Sequence, residues 1–518
     1  MTVRSPFPPV EIPEVALPDF VLEKAGEFGD RPALIDGPSG RTITYSQLSA
    51  AVRSVAAGLA AKGLGHGDVF AIFSPNVPEY AVAFHAVASL GGISTTANPL
   101  YTADELTFQL KDSGAKFLLT IPQFLEVAAV AAERSGIAEI FVFGDAPGAT
   151  PFSSLMSGDA PPATDINPRE DLVVLPYSSG TTGFPKGVML THRNLVANVC
   201  QSEAVVPVGE DDTIIGVLPF FHIYGMTVIM NAAIRRGATI VTMPRFDLEQ
   251  FLRLLQDYKV TRAHLVPPIV LALAKHPMVD KFDLSNLRHI MSGAAPLSGD
   301  LAEECAARID SLVVQGYGLT ETSPVTHAVP DDMENRPGSI GPPIPNTECM
   351  VVDPASGTEA GPGGLGEVWI RGPQVMRGYL NNESATSAAI DREGWLHTGD
   401  IGYADEDGYF FLVDRLKELI KYKGFQVAPA ELEALLVGHP EVADAAVIGR
   451  PDPEAGEVPM AFVVKRGDVD ADEIIAFVAD RVAPQKKIRA VEFVDEIPKS
   501  PSGKILRRVL RAREGISR

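Results

Sequence analysis

The sequence predicts a mixed α/β protein: a large N-terminal domain of helix-covered sheets with a β-barrel-like region, and a small C-terminal α/β domain. Three observations predict it. Short apolar runs alternate with helically spaced ones over residues 1–170, residues 337–380 are dense in Gly and Pro with short apolar runs, and the composition shifts near residue 414 before a compact strand–helix pattern. No internal repeat or long low-complexity segment interrupts this plan.

The elements follow in order. Thr42-Ile43-Thr44-Tyr45 reads as a strand, and Ser46 as the N-cap of a helix whose apolar face is Leu48, Val52, Val55 and Leu59, closed by Gly63. Val69–Phe73 is the next strand, and the Pro/Gly/Ser-rich residues 144–168 form a connecting loop. Val173–Leu175 and Val188–Leu190 are strands on either side of a Gly-rich loop, with further units around Ile214–Pro219, Ala238–Met243 and Leu312–Val314. Past residue 414, Lys417, Lys421 and Lys423 cluster around Gly424, and Pro429 opens a helix with Glu431 and Glu433 in its first turn. Val442–Ile448 and Pro459–Val464 are strands and Ala471–Val482 a helix. The domains are therefore expected at 1–416 and 417–518.

A chain of 518 residues is too long for one core, and 46% hydrophobic with 21% charged residues is ordinary globular composition. No run approaches the ~18 apolar residues of a membrane span. Integral membrane association is not expected, nor is a secretory leader or a Ser-Lys-Leu address. Cys200, Cys305 and Cys349 are scattered, without disulfide or metal spacing, which fits a cytoplasmic setting. The net charge of −22, from 44 basic and 66 acidic residues, disfavours nucleic acid as a partner. Polyanionic ligands must then be met by local basic groups.

The densest motif is Ser178-Ser179-Gly180-Thr181-Thr182-Gly183-Phe184-Pro185-Lys186-Gly187. Its glycines let the backbone approach a ligand, its hydroxyls donate, and Lys186 adds a positive charge, a combination suited to a chain of phosphates. It is not the common nucleotide-binding loop, which requires a Gly-Lys pair between a strand and a helix. An ordinary surface turn is the competing reading of this run taken alone. Gln315-Gly316-Tyr317-Gly318-Leu319-Thr320-Glu321 combines an aromatic face, glycines and a carboxylate, apt for a purine and for a cation beside phosphates. Gly394–Asp400 ends in an aspartate apt for a ribose diol, Asp414-Arg415 supplies a basic group, and Ser502-Gly503-Lys504 carries a lysine on a loop.

These motifs in this order resemble the adenylate-forming superfamily of acyl-CoA synthetases, adenylation domains and firefly luciferases. Within it the chain is most similar to 4-coumarate–CoA ligases, notably at Pro219-Phe220-Phe221-His222-Ile223-Tyr224-Gly225 and from Lys417 to Glu433. Gly366-Glu367-Val368-Trp369-Ile370-Arg371-Gly372 departs from the plant pattern, with Trp369 where plant enzymes carry cysteine.

The resemblance implies two half-reactions: a carboxylic acid and ATP give an acyl-adenylate and pyrophosphate, then coenzyme A gives a thioester and AMP. It implies ATP, Mg2+ and coenzyme A as cofactor and co-substrates, and a monomer or homodimer. Ser178, Ser179, Gly180, Thr181, Thr182, Gly183 and Lys186 would cradle the β- and γ-phosphates. Thr320 would touch the α-phosphate, Glu321 would hold Mg2+, Tyr317 would stack on adenine, and Gln315 and Gly316 would contact the nucleotide. Asp400 would take the ribose hydroxyls with Arg415 assisting, and Lys504 would act during adenylation. Lys421 would meet the nucleotide during thioester formation, Lys417 would bind nucleotide and mark a hinge, and Arg245, Lys423 and Gly424 would contact coenzyme A. His222 and Tyr224 would line the acyl pocket, with Ala294, Gly316 and Gly318 leaving room for a flat acid. The implied acid is 4-coumarate or a related hydroxycinnamate or aryl acid. A medium- or long-chain fatty acid is the nearest alternative, followed by loading of a carrier protein, a luciferase-like oxygenase, or a nucleotide sensor without catalysis. The other histidines, including His264, His289 and His439, are expected to be surface or packing residues.

Overall fold

The computed structural model describes residues 2–178, 185–423, 425–500 and 503–516. Ser179, Gly180, Thr181, Thr182, Gly183, Gly424 and Ser502 lie outside the described residues.

Two eight-stranded sheets dominate the N-terminal part. One centres on the parallel strands Leu172–Ser178, Ile93–Thr96, Val69–Phe73 and Ala115–Thr120, with antiparallel Lys186–Thr191 and Gly378–Tyr379 at one edge. The other runs Val325–Ala328, Leu312–Gly318, His289–Ser292, Arg262–Leu265, Thr213–Gly216, Thr239–Thr242, Pro32–Asp36, Thr42–Thr44. Their inner faces share one core in which Phe70, Ile72 and Phe117 of the first join Leu34, Ile214, Ile240 and Ile290 of the second, with helices between them. Continuous burial of strands such as Val69–Phe73 is what parallel strands covered on both faces require.

The helix expected after Thr42–Tyr45 spans Tyr45–Ala61, but its N-cap is Thr44 rather than Ser46. Thr44 accepts from the Gln47 backbone N–H while the Gln47 side chain accepts from Thr44 N–H. That reciprocal pair satisfies two otherwise orphaned donors, which Ser46 could not do. The Gly/Pro-dense stretch contributes to a five-stranded sheet ordered Val3–Arg4, Glu348–Val352, Gly366–Arg371, Leu396–Ala404, Phe410–Arg415. Trp369 lies on it, stacked on His397 with centroids 3.8 Å apart and donating to Glu367, so the departure from cysteine is absorbed by packing.

The smaller C-terminal part has its own sheet, formed by Phe425–Val427, Ile420–Tyr422, Gly456–Lys465, Val442–Asp452 and Ala490–Phe493, and its own buried cluster around Val447, Ala461 and Ile474. Its strands run longer than the apolar patterns suggested, and its second helix is shorter, Ala471–Ala479.

Burial in the N-terminal core has a pH consequence. His85, in the helix Glu79–Ser89, is fully buried against Phe84, and neither ring nitrogen has a hydrogen-bond partner. Burial pushes its pKa down to about 3. Below the unfolded value of ~6.5 the unfolded chain binds a proton that the folded chain refuses, so this site removes stability as pH falls from about 6.5 toward 3, about 2 kcal/mol by pH 5. His85→Phe is expected to flatten the slope of unfolding free energy against pH between those values, measured by denaturant titration. An unchanged slope would contradict it.

Candidate active site

The site gathers where the two large sheets, the five-stranded sheet and the C-terminal part meet. Leu172–Ser178 enters and Lys186–Thr191 leaves the Gly-rich loop as an antiparallel pair with Ser178 opposite Lys186, so the motif does sit between two strands. Lys186 Nζ lies 4.6 Å from the centroid of the Tyr379 ring. The Tyr379 hydroxyl donates to Glu321 Oε1 at 2.8 Å. Tyr379 thus links the loop lysine to the carboxylate of the Thr320–Thr322 turn, and sequence reasoning missed it.

The strand Leu312–Gly318 delivers Gln315, Gly316, Tyr317 and Gly318. Gln315 Oε1 accepts from Leu297 N–H at 2.9 Å, tying down the loop that carries Ala294. Ala294 has φ 69°, an uncommon conformation for a residue with a Cβ and one that marks a constrained turn. The Tyr317 hydroxyl donates to Asp400 Oδ2, and Arg415 Nε meets Asp400 Oδ1 at 3.1 Å. Asp400 and Arg415 are opposed in neighbouring strands, which fixes this pair. The Asp400 charge, above all, holds the Arg415 pKa above its usual value.

Lys504 arrives from the C-terminal part. Its N–H donates to Ser500 Oγ at 3.1 Å, and the Ser500 N–H donates to Lys504 O at 2.8 Å. Gly503 has φ 78°, and a Cβ there would lie 3.2 Å from Val266 of the large domain. The following helix, Arg507–Arg513, is anchored by Arg507, which bonds both oxygens of Glu433 at 2.7 Å and Val447 O at 3.1 Å. Enclosure by protein, then the Arg415 charge, lowers the Lys504 pKa, while Asp400 and Glu321 act in the opposite sense. One lysine, one arginine and two carboxylates from distant segments therefore share an electrostatic environment.

His222 lines a small cavity with Thr96, Tyr177, Phe221 and Thr320 among its walls. Burial, then nearby Lys504, pushes its pKa down to about 3. Its Nδ1 accepts from the Tyr224 N–H at 3.3 Å, which assigns the ring proton of the neutral imidazole to Nε2. The Tyr224 hydroxyl lies 3.3 Å from both His264 Nδ1 and Met291 O, and a Cβ on Gly293 would sit 2.8 Å from the Tyr224 ring. His264, expected as a surface or packing residue, is buried and packs edge-on against the Tyr224 ring. A Cβ on Gly316 would lie 3.1 Å from Met291 Sδ, whereas one on Gly318 would run into Pro324 O at 2.1 Å. Glycine at 318 is thus demanded by the adjacent backbone.

Not every candidate joins this cluster. Arg245, Lys417, Lys421 and Lys423 are exposed. Lys421 N–H donates to Glu457 and Lys423 N–H to Ala455 O, both within the C-terminal part.

The family model for AMP-binding enzymes matches residues 21–380, and that for the AMP-binding enzyme C-terminal domain matches residues 431–504. The chain belongs to the AMP-binding enzyme family. Among curated relatives of this AMP-binding enzyme, 4-coumarate–CoA ligase 1 of Solanum tuberosum is 46% identical over 523 residues, covering 98% of this chain and 96% of that one. Among solved structures, ATP-bound MatB from Rhodopseudomonas palustris is 30% identical with a TM-score of 0.88, covering 97% of this chain and 99% of that one. Apo MatB from the same organism, also 30% identical with the same coverage, gives a TM-score of 0.78.

Proposed function

We infer that this AMP-binding enzyme is an AMP-forming acid–CoA ligase acting on 4-coumarate or related hydroxycinnamate or aryl acids. Family membership and the full-length relatives support the reaction class: an acid and ATP give an acyl-adenylate and pyrophosphate, and coenzyme A then gives the thioester and AMP. The acid itself rests on the likeness to 4-coumarate–CoA ligase and on the small residues Ala294, next to the Gly293 that packs on Tyr224, and Gly316, which faces Met291.

The observation that carries the reading is the meeting of Lys504 with Arg415, Asp400 and Glu321, with a neutral His222 near the same lysine. A carboxylate is a poor acylating agent, and adenylation removes its charge and supplies AMP as leaving group. At phosphorus the protein chiefly positions groups and stabilises charge. In this reading Asp400 receives the ribose hydroxyls, and Tyr317 offers its face to adenine. The loop from Ser178 to Lys186 holds the departing pyrophosphate, Thr320 meets the α-phosphate, and Lys504 stabilises charge on the α-phosphate and bridging oxygens. His222, with Nε2–H, donates to an acid oxygen.

Among the described residues no group of three or more His, Cys, Asp or Glu could hold a metal. Mg2+ binds through one or two carboxylates and substrate phosphates. Glu321 fits, since it is 9% exposed and held by Tyr379 at one oxygen. When bound, Mg2+ neutralises phosphate charge.

With Lys504 inward and Lys421 and Lys423 outward, the arrangement is the one for adenylation, a reading supported by the higher TM-score to ATP-bound than to apo MatB. Residues 417–518 then turn about Lys417 to bring Lys421, Lys423 and Gly424 toward the site for thioester formation, with Arg245 on the coenzyme A path. Among the described residues no helix is long and apolar enough to cross a membrane.

A panel of cinnamates, benzoates and saturated fatty acids with ATP and coenzyme A, read by thioester formation, tests the substrate. A hydroxycinnamate is expected to give the highest kcat/KM. Preference for saturated chains over every aryl acid would overturn the substrate reading while leaving the reaction class intact.

A further inference from the structure

The helix His192–Glu203 begins directly after the strand Lys186–Thr191 that leaves the Gly-rich loop. Asn194, Asn198 and Gln201 recur along it at helical spacing, share one face and are buried. A buried helix face is ordinarily apolar, whereas this one binds backbone. Asn198 accepts from the Val325 N–H at 3.0 Å and donates to Val325 O at 2.8 Å, which clamps the chain just past the Thr320–Thr322 turn. Gln201 donates to Pro345 O at 2.7 Å and to Gln374 Oε1 at 3.0 Å. Asn194 stands between two segments. Its Oδ1 accepts from the Thr191 N–H and the Thr191 hydroxyl, both at 2.9 Å. Its Nδ2 donates to Pro373 O at 2.9 Å and Val375 O at 3.0 Å. Both lone pairs and both N–H groups of the amide are therefore used, and the partners assign its orientation.

The segment that Asn194 holds reaches Glu321 twice. The Met376 N–H donates to Glu321 O at 2.8 Å, and the Tyr379 hydroxyl donates to Glu321 Oε1 at 2.8 Å. The Ser323 hydroxyl adds a bond to Gln374 O at 2.9 Å. Capping the helix needs only the Asn194 oxygen. Its NH2 group serves the backbone that fixes the Glu321 carboxylate. We propose that Asn194 is a positioning residue for Glu321: by holding residues 373–375 it orients the carboxylate that receives Mg2+ beside the ATP phosphates. The inference rests on the metal role given to Glu321 under Proposed function. A carboxylate already oriented loses little freedom when the metal arrives, whereas one on a loosened segment must be ordered at that moment. Asn194 therefore acts on the metal-dependent part of ATP binding.

The test is isothermal titration of ATP into the full chain without acid, once in EDTA and once in excess Mg2+, so that nothing turns over. The quantity read is the ratio of the ATP Kd in EDTA to that in Mg2+. Asn194→Asp keeps the oxygen that caps the helix and sets a second oxygen against Pro373 O and Val375 O. It is expected to shrink the ratio by about tenfold, the lower end of the effect of removing a group that orients a metal ligand. Tyr379→Phe should shrink it in the same sense. Asn194→Ser, which buries no charge, answers the question if Asn194→Asp folds poorly. Thr44→Ala removes the cap of a different helix and should lower the melting temperature while keeping the wild-type ratio. A lower melting temperature with the wild-type ratio in both Asn194 variants would overturn the proposal and leave Asn194 a helix cap. Glu321→Gln separates the two levels and should lose most of the Mg2+ effect. If Glu321→Gln keeps that effect, the metal role of Glu321 is overturned and this inference with it.

Discussion

Lys504→Ala is expected to slow adenylate formation by about 10²–10³-fold while leaving thioester formation from preformed adenylate near the wild-type rate. The ammonium group sits in an enclosed site where burial and Arg415 disfavour its charge and Asp400 and Glu321 favour it. A triphosphate entering that site would bring the missing negative charge, so the lysine is poised to interact more strongly with ligand than with the empty protein. Its position comes from the approach of Gly503 to Val266 and from the anchoring of the next helix on Glu433. None of these contacts involves Lys421 or Lys423, which the second half-reaction is proposed to use. Rapid-quench measurement of adenylate from ATP and acid, beside thioester formation from synthetic adenylate, separates the two. Equal loss in both would remove Lys504 from the adenylation step.

Asp400→Ala is expected to lower kcat/KM for ATP by about 10²–10³-fold and to destabilise the protein as well. The first effect follows from losing hydrogen bonds between this carboxylate and the two ribose hydroxyls it is proposed to bind. The second follows from what is left behind. Asp400 is 8% exposed and Arg415 39% exposed, so their pair is only partly screened by water. Removing one partner of a fully buried pair costs about 3–5 kcal/mol, and the exposure of Arg415 brings the expectation down to about 1–3 kcal/mol. Tyr317 also loses the acceptor of its hydroxyl. Asp400→Asn, which keeps one acceptor oxygen, should fall between wild type and alanine in both respects. Thermal unfolding and ATP-dependent initial rates check the pair of effects. An unchanged KM for ATP would contradict the assignment.

Local signals carried much of this site. The two strands around the Ser178–Lys186 loop were legible because valines and leucines on each side mark their ends. Asp400, Arg415, Tyr317 and Glu321 were legible because each sits in a compact motif of unusual composition. Tyr379 was not: it lies on a two-residue strand paired with Val188, and so short a strand at that sequence separation leaves no periodicity to read. His264 was read as a surface or packing residue, and it is a packing one: it lies in the buried strand Arg262–Leu265, where the Tyr224 hydroxyl reaches across to it. Alternation of strands and helices indicated the α/β class. The strand order of the two large sheets depends on which faces bury together, and the chain crosses between the sheets several times. Thr44 displaced Ser46 as a helix cap for a similarly specific reason: only Thr44 has Gln47 three residues on to complete the reciprocal bonds.

Acid-dependent exchange of labelled pyrophosphate into ATP tests the central claim most directly, because it requires reversible adenylate formation and nothing from coenzyme A. The wild-type protein with Mg2+ is expected to show exchange that depends on an added carboxylic acid, strongest with a hydroxycinnamate, and to lose it with Lys504→Ala. Exchange that is absent across cinnamates, benzoates and fatty acids alike would contradict the account and leave a nucleotide-binding protein without this chemistry.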